Sequence, residues 1–341
     1  MNTFNDILQK IQQGLTLNAE QAYAALQLMS ASETPDTQRA AFLAMLAAHG
    51  ETAEELTGFL QFIKQNALPI NTTHTSPMID IVGTGGDKLK TFNISTAASI
   101  VVASTGIHVA KHGGRSVTSL SGSADVLEIL NIPRFEQPSA IINSLTRHHF
   151  AFLFAPFFNP LLKNISGLRR ELGIRTFFNL LAPLANPAQV QRQVIGLYSD
   201  KPALTLIEAL KAAGSIHVMV VHSVDGMDEI SLSSPTHIVH LKNNHIKKYT
   251  VQPEDFGLQR CNLADITGGD AHENAAIIRN IFSNRAPSPQ RDIVILNAAA
   301  GFIVADRVSN FNEGIQLATR AIDDGSAWSL LNKLSDPKAY A

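Results

Sequence analysis

The chain has 341 residues, enough for one large domain and a smaller one, and 45% of its residues are hydrophobic. A formal net charge of −2 gives no whole-molecule attraction to nucleic acid or anionic membranes, and the single cysteine, Cys261, excludes an internal disulfide framework. The N-terminus does not resemble a secretory signal and no apolar run approaches the length of a membrane span, so we expect a cytoplasmic protein.

Residues 1–67 carry only helical signals. Phe4, Ile7, Leu8 and Ile11 recur at the spacing of one helix face. Three more helix starts are marked by Asn18 as an N-cap, Pro35 as a first helical residue and Thr52 to Glu55 as a capping box. We therefore predict a small helical domain over residues 1–70, completed by helices within about 155–190, and a large α/β domain over 71–341.

From Met78 onward, short apolar runs end in glycine-rich loops. The run 78–82 leads into Gly83-Thr84-Gly85-Gly86-Asp87, and the run 106–110 leads into Lys111-His112-Gly113-Gly114-Arg115. Each loop is followed by a predicted helix, one after Asn93 and the other from Ser123. Glycines let backbone N–H groups approach an anion, and a helix N-terminus attracts it. Two such junctions predict a pocket for a ligand with more than one phosphate.

Two common phosphate-binding motifs do not fit the first loop. A dinucleotide fingerprint needs a third glycine where the chain has Lys88. No Walker A spacing occurs. For the first loop alone, a simple flexible turn remains an alternative interpretation.

The remainder of the chain alternates predicted helices with short apolar strands, which indicates an α/β core. The predicted strands are 150–154, 194–198, 216–221, 237–241, 246–251 and 292–296. Those at 237–241 and 246–251 are expected to pair as a hairpin through Asn243-Asn244. Asp270 is the predicted cap of a helix that ends at Phe282. The acidic pair Asp228-Glu229 follows the strand 216–221 and can serve one site only from a loop.

With these motifs in view, the chain resembles the anthranilate phosphoribosyltransferases. The likeness rests on the two glycine loops, the segment Asn93 to Thr96, residues 169–179 and 183–188, and Met227 to Ser231. It implies transfer of the 5-phosphoribosyl group of PRPP (5-phosphoribosyl diphosphate) to anthranilate, which gives N-(5-phosphoribosyl)anthranilate and pyrophosphate. This is the second step of tryptophan synthesis from chorismate. The resemblance also implies a helical domain joined to an α/β domain with a mainly parallel sheet, a cleft between them, and a homodimer formed through the helical domain.

The resemblance assigns three groups of residues. Those expected at PRPP are Gly83, Gly86, Asp87, Thr91, Asn93, Ile94, Ser95, Thr96, Lys111, His112, Gly113, Gly114, Arg115, Ser119 and Ser123. Those expected at anthranilate are Gly83, Gly114 and Arg169, and those expected at two Mg²⁺ ions are Ser95, Asp228 and Glu229. No catalytic acid or base is expected, because an aromatic amine is neutral and nucleophilic at pH 7. Pyrophosphate needs charge neutralisation to leave, which Mg²⁺ and cationic side chains supply.

Three positions depart from the family pattern, all on the expected anthranilate side. Gly114 replaces an asparagine, Phe158-Asn159 replaces Tyr-His, and Ala182 replaces a glycine. These departures leave open the same chemistry on another aromatic acceptor. Two further alternatives are a nucleoside phosphorylase of the same architecture, which would lack the combination of the first glycine loop and the acidic pair, and a non-catalytic relative that binds nucleic acid. The near-zero net charge and the intact motifs argue against the last.

Overall fold

The computed structural model describes residues 3–70, 77–86, 89–115 and 120–340. It opens with the four predicted helices: α1 Phe4–Gln12, α2 Ala19–Ser30, α3 Asp36–His49 and α4 Ala53–Gln65. Asn18 and Thr52 cap α2 and α4, and each forms a capping box with the residue three positions later, which confirms both predicted starts. Pro35 lies one position before α3 in extended backbone and not at the first helical position.

Seven strands form one sheet in the order β3-β2-β1-β4-β5-β6-β7. Their bounds are β1 Met78–Gly83, β2 His108–Gly113, β3 Phe150–Phe154, β4 Arg192–Gly196, β5 His217–Ser223, β6 Thr236–Lys242 and β7 His245–Val251. The pairs among β1 to β5 are parallel, whereas β5–β6 and β6–β7 are antiparallel. The mainly parallel α/β fold class is therefore confirmed, and so is the hairpin at Asn243-Asn244.

Twelve further helices are described in the remainder of the chain. They are α5 Ile94–Ala103, α6 Ser123–Ile129, α7 Pro138–His148, α8 Ala155–Phe158, α9 Pro160–Asn164, α10 Ser166–Leu172, α11 Phe177–Leu181, α12 Ala203–Ala212, α13 Ala271–Phe282, α14 Ser288–Val304, α15 Phe311–Asp323 and α16 Ser326–Ser335. Short 3₁₀ helices occupy Ala182–Leu184, Pro253–Phe256, Leu263–Ile266 and Pro337–Tyr340. Across the described ranges, none of these helices is long and apolar enough to span a membrane.

Helices cover both faces of the parallel part of the sheet. Successive strand residues point to opposite sides, so neighbouring residues of one strand enter different cores. Ile81 of β1 belongs to the core formed with α5 and α14 on one face, whereas Val82 belongs to the core formed with α12 and the N-terminal helices on the other. The segment between β3 and β4 joins the second core. There the Phe177 ring of α11 stacks on Phe59 of α4 at a centroid distance of 4.3 Å.

The predicted strand 292–296 is wrong, since these residues lie within α14. Every residue of α14 from Ile293 to Val304 is buried, so the helix has no polar face over most of its length. A short apolar run without polar alternation does not distinguish a buried strand from a buried helix. The burial of α14 on all sides removed the periodicity that would have identified it.

The strand order places a topological switch point between β1 and β4. From β1 the chain moves outward to β2 and β3, and it then returns to β4 on the other side of β1. Gly83 and Gly196 end these two strands and are register partners. In open α/β sheets, ligands bind outside the carboxyl ends of the strands at such a point. The fold therefore places the first glycine loop where a ligand crevice is expected.

Candidate active site

The first glycine loop leaves β1 at the switch point and is held by neighbouring elements. The Thr84 N–H donates to the Gly196 carbonyl at 2.9 Å, and the Gly85 N–H donates to Asp228 Oδ2 at 2.7 Å. Gly85 and Gly86 have φ values of +67° and +82°, which side-chain-bearing residues rarely adopt. The loop thus turns sharply over the edge of the sheet, and its first two N–H groups bind the end of β4 and the acidic loop.

The acidic pair lies in the loop after β5, as its sequence position predicts, and its two side chains diverge. Asp228 Oδ2 accepts from the first glycine loop, whereas Glu229 Oε1 accepts from the Ser95 N–H at 3.1 Å. Both residues are largely buried. One carboxylate therefore faces the loop after β1 and the other faces the start of α5.

Glycines at the switch point give Asp228 its space. The carbonyl oxygen of Asp228 occupies the position that a Cβ on Gly196 would need, and its carbonyl carbon would lie 2.5 Å from that Cβ. On the β1 side, a Cβ on Gly83 would lie 3.0 Å from Asp228 Cγ and would overlap its carboxylate. Glycine at the ends of both strands is what allows the acidic loop to cross directly over the sheet edge.

The N-terminus of α5 forms the next wall of the site. Asn93 occupies the N-cap and is fixed by polar neighbours, because its side chain accepts from Asn274 at 3.0 Å and donates to the Ser121 carbonyl at 3.2 Å. In the first turn, the Thr96 hydroxyl donates to Ser123 Oγ at 3.2 Å. This contact brings the starts of α5 and α6 together, so the two predicted helix junctions lie side by side.

The Lys111 ammonium group is buried beneath these walls. It donates to the Ile81 carbonyl at 2.7 Å and to Ser95 Oγ at 3.3 Å. Burial lowers the pKa of Lys111, and the carboxylates of Asp80, Glu229 and Asp228 oppose this effect. Asp80 is itself fully buried, and burial raises its pKa to about 6 against the opposing charge of Lys111. The side-chain nitrogen of Lys111 thus lies directly behind the Ser95 hydroxyl.

Lys111, His112 and Gly113 of the predicted second glycine loop are the last residues of β2, so only Gly114 and Arg115 of that loop follow the strand. His112 donates its backbone N–H to Asp80 at 3.2 Å, and burial lowers the pKa of its ring to about 4, so the imidazole is neutral at pH 7. Its Nδ1 lies 3.4 Å from the Pro183 carbonyl. The Arg115 guanidinium bridges Asp125 and Glu128 of α6 at 2.5 and 2.7 Å. In this structure Arg115 therefore contacts α6.

Two arginines of interest lie in the segment between β3 and β4. Arg169 of α10 is half-buried, lies 5.5 Å from the centroid of the Phe178 ring, and has a pKa that burial lowers. Arg175 donates from Nη2 to the Gly86 carbonyl at 2.5 Å and lies 3.8 Å from the centroid of the Tyr198 ring. Arg175 thereby ties this segment to the first glycine loop.

The structure joins several of the candidate residues at one sheet edge. Ser95 contacts Glu229 and Lys111, Thr96 contacts Ser123, and Asp228 contacts the first glycine loop. Asp87 and Ser119 lie outside the described residues. Neither Arg175 nor Asp80 was assigned to the site by the sequence analysis. A charged residue in the middle of an apolar strand was the available signal for Asp80, whereas the contact of Arg175 has no local signal.

The donor set at the acidic pair fits a hard divalent cation. Two carboxylates and the Ser95 hydroxyl are oxygen ligands of the kind that Mg²⁺ prefers. Among the described residues, no group of three or more His, Cys, Asp or Glu side chains is arranged to hold a metal. Water and phosphate oxygens would complete the shell of an ion held here, as is usual for Mg²⁺ beside a phosphorylated substrate.

Comparison with known families covers nearly the whole chain. The profile described as "Glycosyl transferase family, helical bundle domain" matches residues 5–67, and "Glycosyl transferase family, a/b domain" matches residues 75–328. The anthranilate phosphoribosyltransferase of Geobacillus kaustophilus is 43% identical over 328 residues, which are 96% of this chain and 96% of the relative.

Solved structures share the fold as well. Anthranilate phosphoribosyltransferase from Thermus thermophilus superposes with a TM-score of 0.90 at 35% identity, over 96% of this chain and 98% of the other. The Saccharomyces cerevisiae enzyme in complex with PRPP and Mg superposes with a TM-score of 0.87 at 28% identity, over 96% of each chain. The arrangement of helical and α/β parts is thus shared along the full length.

Proposed function

The chain belongs to the anthranilate phosphoribosyltransferase family, and from this premise we propose a role for each part of its cleft. The enzyme transfers the 5-phosphoribosyl group of PRPP to the amine of anthranilate and releases pyrophosphate. One observation supports the placement of the chemistry above all others. At the switch point, the Asp228 and Glu229 carboxylates meet the donors of the first glycine loop and of α5.

We place PRPP along the two glycine loops and the N-terminus of α5. The positive-φ turn at Gly85 and Gly86 lets the backbone come close to a bound phosphate. The positive end of the α5 dipole points at the same crevice. Lys111 adds a positive charge behind Ser95. The hydroxyls of Thr96 and Ser123 provide further donors where the two helix starts meet. This assembly suits a ligand that carries phosphate at both ends of a ribose.

We place two Mg²⁺ ions at Asp228, Glu229 and Ser95. The divergence of the two carboxylates supports this number, because one faces Gly85 and the other faces Ser95. Bound Mg²⁺ neutralises charge on the departing pyrophosphate. The residues that bind the diphosphate would position it at the ribose carbon from which it is displaced. Lys111 would stabilise the negative charge that develops on this leaving group.

We place anthranilate on the side of α10, with its carboxylate on Arg169. A guanidinium binds both oxygens of a carboxylate at once, and Arg169 is half-buried against Phe178, which limits its freedom. The neutral aniline nitrogen then needs orientation toward the ribose and no general base. Asn159 lies buried beside Phe158, and among the described residues neither atom of its side-chain amide has a hydrogen-bond partner.

We propose that residues 1–70, with helices from about 155–190, act as a helical domain against the α/β remainder, and that two copies pair through this domain. The stacking of Phe177 of α11 on Phe59 of α4 supports the first statement, whereas the second core extends from these helices to α12 and the sheet. We also propose a cytoplasmic location, which suits a biosynthetic enzyme that uses PRPP.

A single assay tests the proposed function. The protein is incubated with PRPP, Mg²⁺ and anthranilate, and the loss of anthranilate fluorescence is followed together with pyrophosphate release. We expect one pyrophosphate to be released for each anthranilate consumed, and neither change to occur without PRPP. A second arm supplies a pyrimidine nucleoside and inorganic phosphate instead. Turnover in that arm without turnover in the first would contradict the proposal and favour a nucleoside phosphorylase.

Replacing Arg169 should affect the two substrates unequally. We expect Arg169→Ala to raise the anthranilate KM by about 10- to 100-fold and the PRPP KM much less, because it removes a charged two-point contact with the acceptor. Arg170→Ala is the matched control, since Arg170 is the exposed neighbour on the same helix. Steady-state kinetics with each substrate varied in turn measure the effect. Equal changes in both KM values would assign Arg169 a general packing role.

Restoring asparagine at Gly114 should improve acceptor binding. A Cβ on Gly114 would meet no heavy atom of the described residues within 4 Å, so these residues leave space at this position. We expect Gly114→Asn to lower the anthranilate KM and to leave the reaction unchanged, because the amide adds a hydrogen-bonding group on the acceptor side. Gly114→Ala separates the effect of the amide from that of the Cβ. An unchanged or higher KM in Gly114→Asn would contradict the hypothesis.

A further inference from the structure

An asparagine in the interior of α14 contacts the segment that carries the acidic pair. Asn297 is completely buried, and its neighbours in α14 are apolar and buried as well. An amide in such surroundings is costly unless its hydrogen bonds are made. Asn297 Oδ1 accepts from the Ile230 N–H at 2.9 Å, and Nδ2 donates to the carbonyls of Ile230 and Ile293 at 3.0 and 2.9 Å. Both amide protons and the oxygen are thus engaged.

Two of these bonds grip a single residue, the one directly after Glu229. The N–H of Ile230 belongs to the same planar peptide unit as the Glu229 carbonyl, which accepts from Ser223 Oγ at 2.6 Å. One peptide unit is therefore held from both ends, by Asn297 on one side and Ser223 on the other. Its rotation would move the Glu229 side chain away from the start of α5.

The same helix also fixes the opposite wall of the site. α14 packs closely against α5, and a Cβ on Gly301 would lie 2.9 Å from Val102 of α5 and 2.7 Å from Ile81 of β1. α5 carries Ser95 at its other end. The distance between Ser95 and the acidic pair is consequently set by one rigid helix that touches both supports.

We propose that Asn297 is a positioning residue that sets the metal affinity of the site without touching metal or substrate. It holds the backbone after Glu229 in the place from which Glu229 reaches the Ser95 N–H and Asp228 reaches the Gly85 N–H. The inference rests on the proposed placement of Mg²⁺ at this pair. Outer residues that orient metal ligands typically change metal affinity by about 10- to 100-fold when they are replaced.

Calorimetric titration with Mn²⁺–pyrophosphate, and with pyrophosphate alone, tests the inference on the whole protein. We expect Asn297→Ser to raise the Kd of Mn²⁺–pyrophosphate by about 10- to 100-fold and to leave the Kd of pyrophosphate alone within about twofold. The Mg²⁺ concentration for half-maximal turnover should rise in parallel, and high Mg²⁺ should restore most of the rate. Asn297→Leu keeps the branched shape of the side chain but is larger and has no hydrogen-bonding group, and it should show a larger shift.

Leu296→Ala is the control, because Leu296 is the adjacent buried residue of α14 and has no polar side-chain atom. We expect it to lower thermal stability without the selective loss of metal-dependent affinity. An Asn297→Ser protein with unchanged Mn²⁺–pyrophosphate affinity, or with the same change as Leu296→Ala, would overturn the inference. Asp228→Asn distinguishes a failure of the metal placement from a failure of the role proposed for Asn297. If it also leaves the affinity unchanged, both the metal placement and the inference fail, whereas a loss confined to Asp228→Asn overturns the inference alone.

Discussion

Asp228→Asn is expected to leave the fold intact and to lower turnover at limiting Mg²⁺ by about 100-fold or more. The substitution keeps the size of the side chain and an oxygen that can accept from the Gly85 N–H, so the crossing of the acidic loop over the sheet edge is preserved. It removes the negative charge that would hold a cation against the diphosphate. Glu229→Gln should act in the same direction, because Glu229 faces the Ser95 side of the same site.

Initial rates over a range of Mg²⁺ concentrations measure this effect, and thermal melting followed by circular dichroism reports on the fold. Glu208→Gln is the matched control, since it makes the same change of charge at an exposed position of α12. We expect the control to follow the wild-type Mg²⁺ dependence. An unchanged Mg²⁺ dependence in both Asp228→Asn and Glu229→Gln would contradict the metal assignment and leave the acidic pair a structural role.

Gly196→Ala is expected to damage both stability and activity. The new Cβ would overlap the Asp228 carbonyl oxygen, and both partners are backbone at a sheet edge, so neither can rotate away. Overpacking of this kind costs about 1–3 kcal/mol of folding free energy, and occasionally more. The shift that relieves it must carry Asp228 away from Gly85, so we expect activity to fall by about 100-fold even where the protein remains folded.

Denaturant unfolding gives the change in stability, and turnover is compared at a temperature at which the variant is fully folded. Gly167→Ala is the control, because a Cβ at Gly167 would lie more than 4 Å from every heavy atom in the described part of the chain and its backbone needs no positive φ. That control should retain stability and turnover. A fully active Gly196→Ala protein would show that the acidic loop has room to move, and it would weaken the argument that glycine is required there.

Local patterns in the sequence predicted a large share of the fold. The caps at Asn18, Thr52 and Asp270 and the hairpin at Asn243-Asn244 are confirmed, since each depends on residues a few positions apart. The predicted strand 292–296 is wrong, because its conformation depends on elements that are distant in the sequence. Its residues lie in a helix that is buried on all sides, and burial is decided by the elements that surround it.

The candidate site divides in the same way. The glycine loops, the hydroxyl-rich helix starts and the acidic pair could be found as motifs, because backbone donors and carboxylates have recognisable short patterns. The contacts that join these motifs in the folded protein could not be found from the sequence. Gly85 and Asp228 are 143 positions apart, and Ile230 and Asn297 are 67 positions apart. No local pattern indicates that Arg175 would lie against Gly86 or that Gly196 would leave space for a carbonyl.

The sequence by itself determined the class of fold, the family and the residue types that a diphosphate and a divalent cation require. The fold class and the residue types follow from periodicity and short motifs, which are properties of neighbouring residues, and the family follows from the resemblance that several motifs carry together. Only the tertiary structure decided that Asp228 and Glu229 face different walls, that Lys111 lies buried behind Ser95, and that Asn297 grips the segment after Glu229. The order of strands in the sheet sets these distances, because it brings the ends of β1, β4 and β5 to one edge.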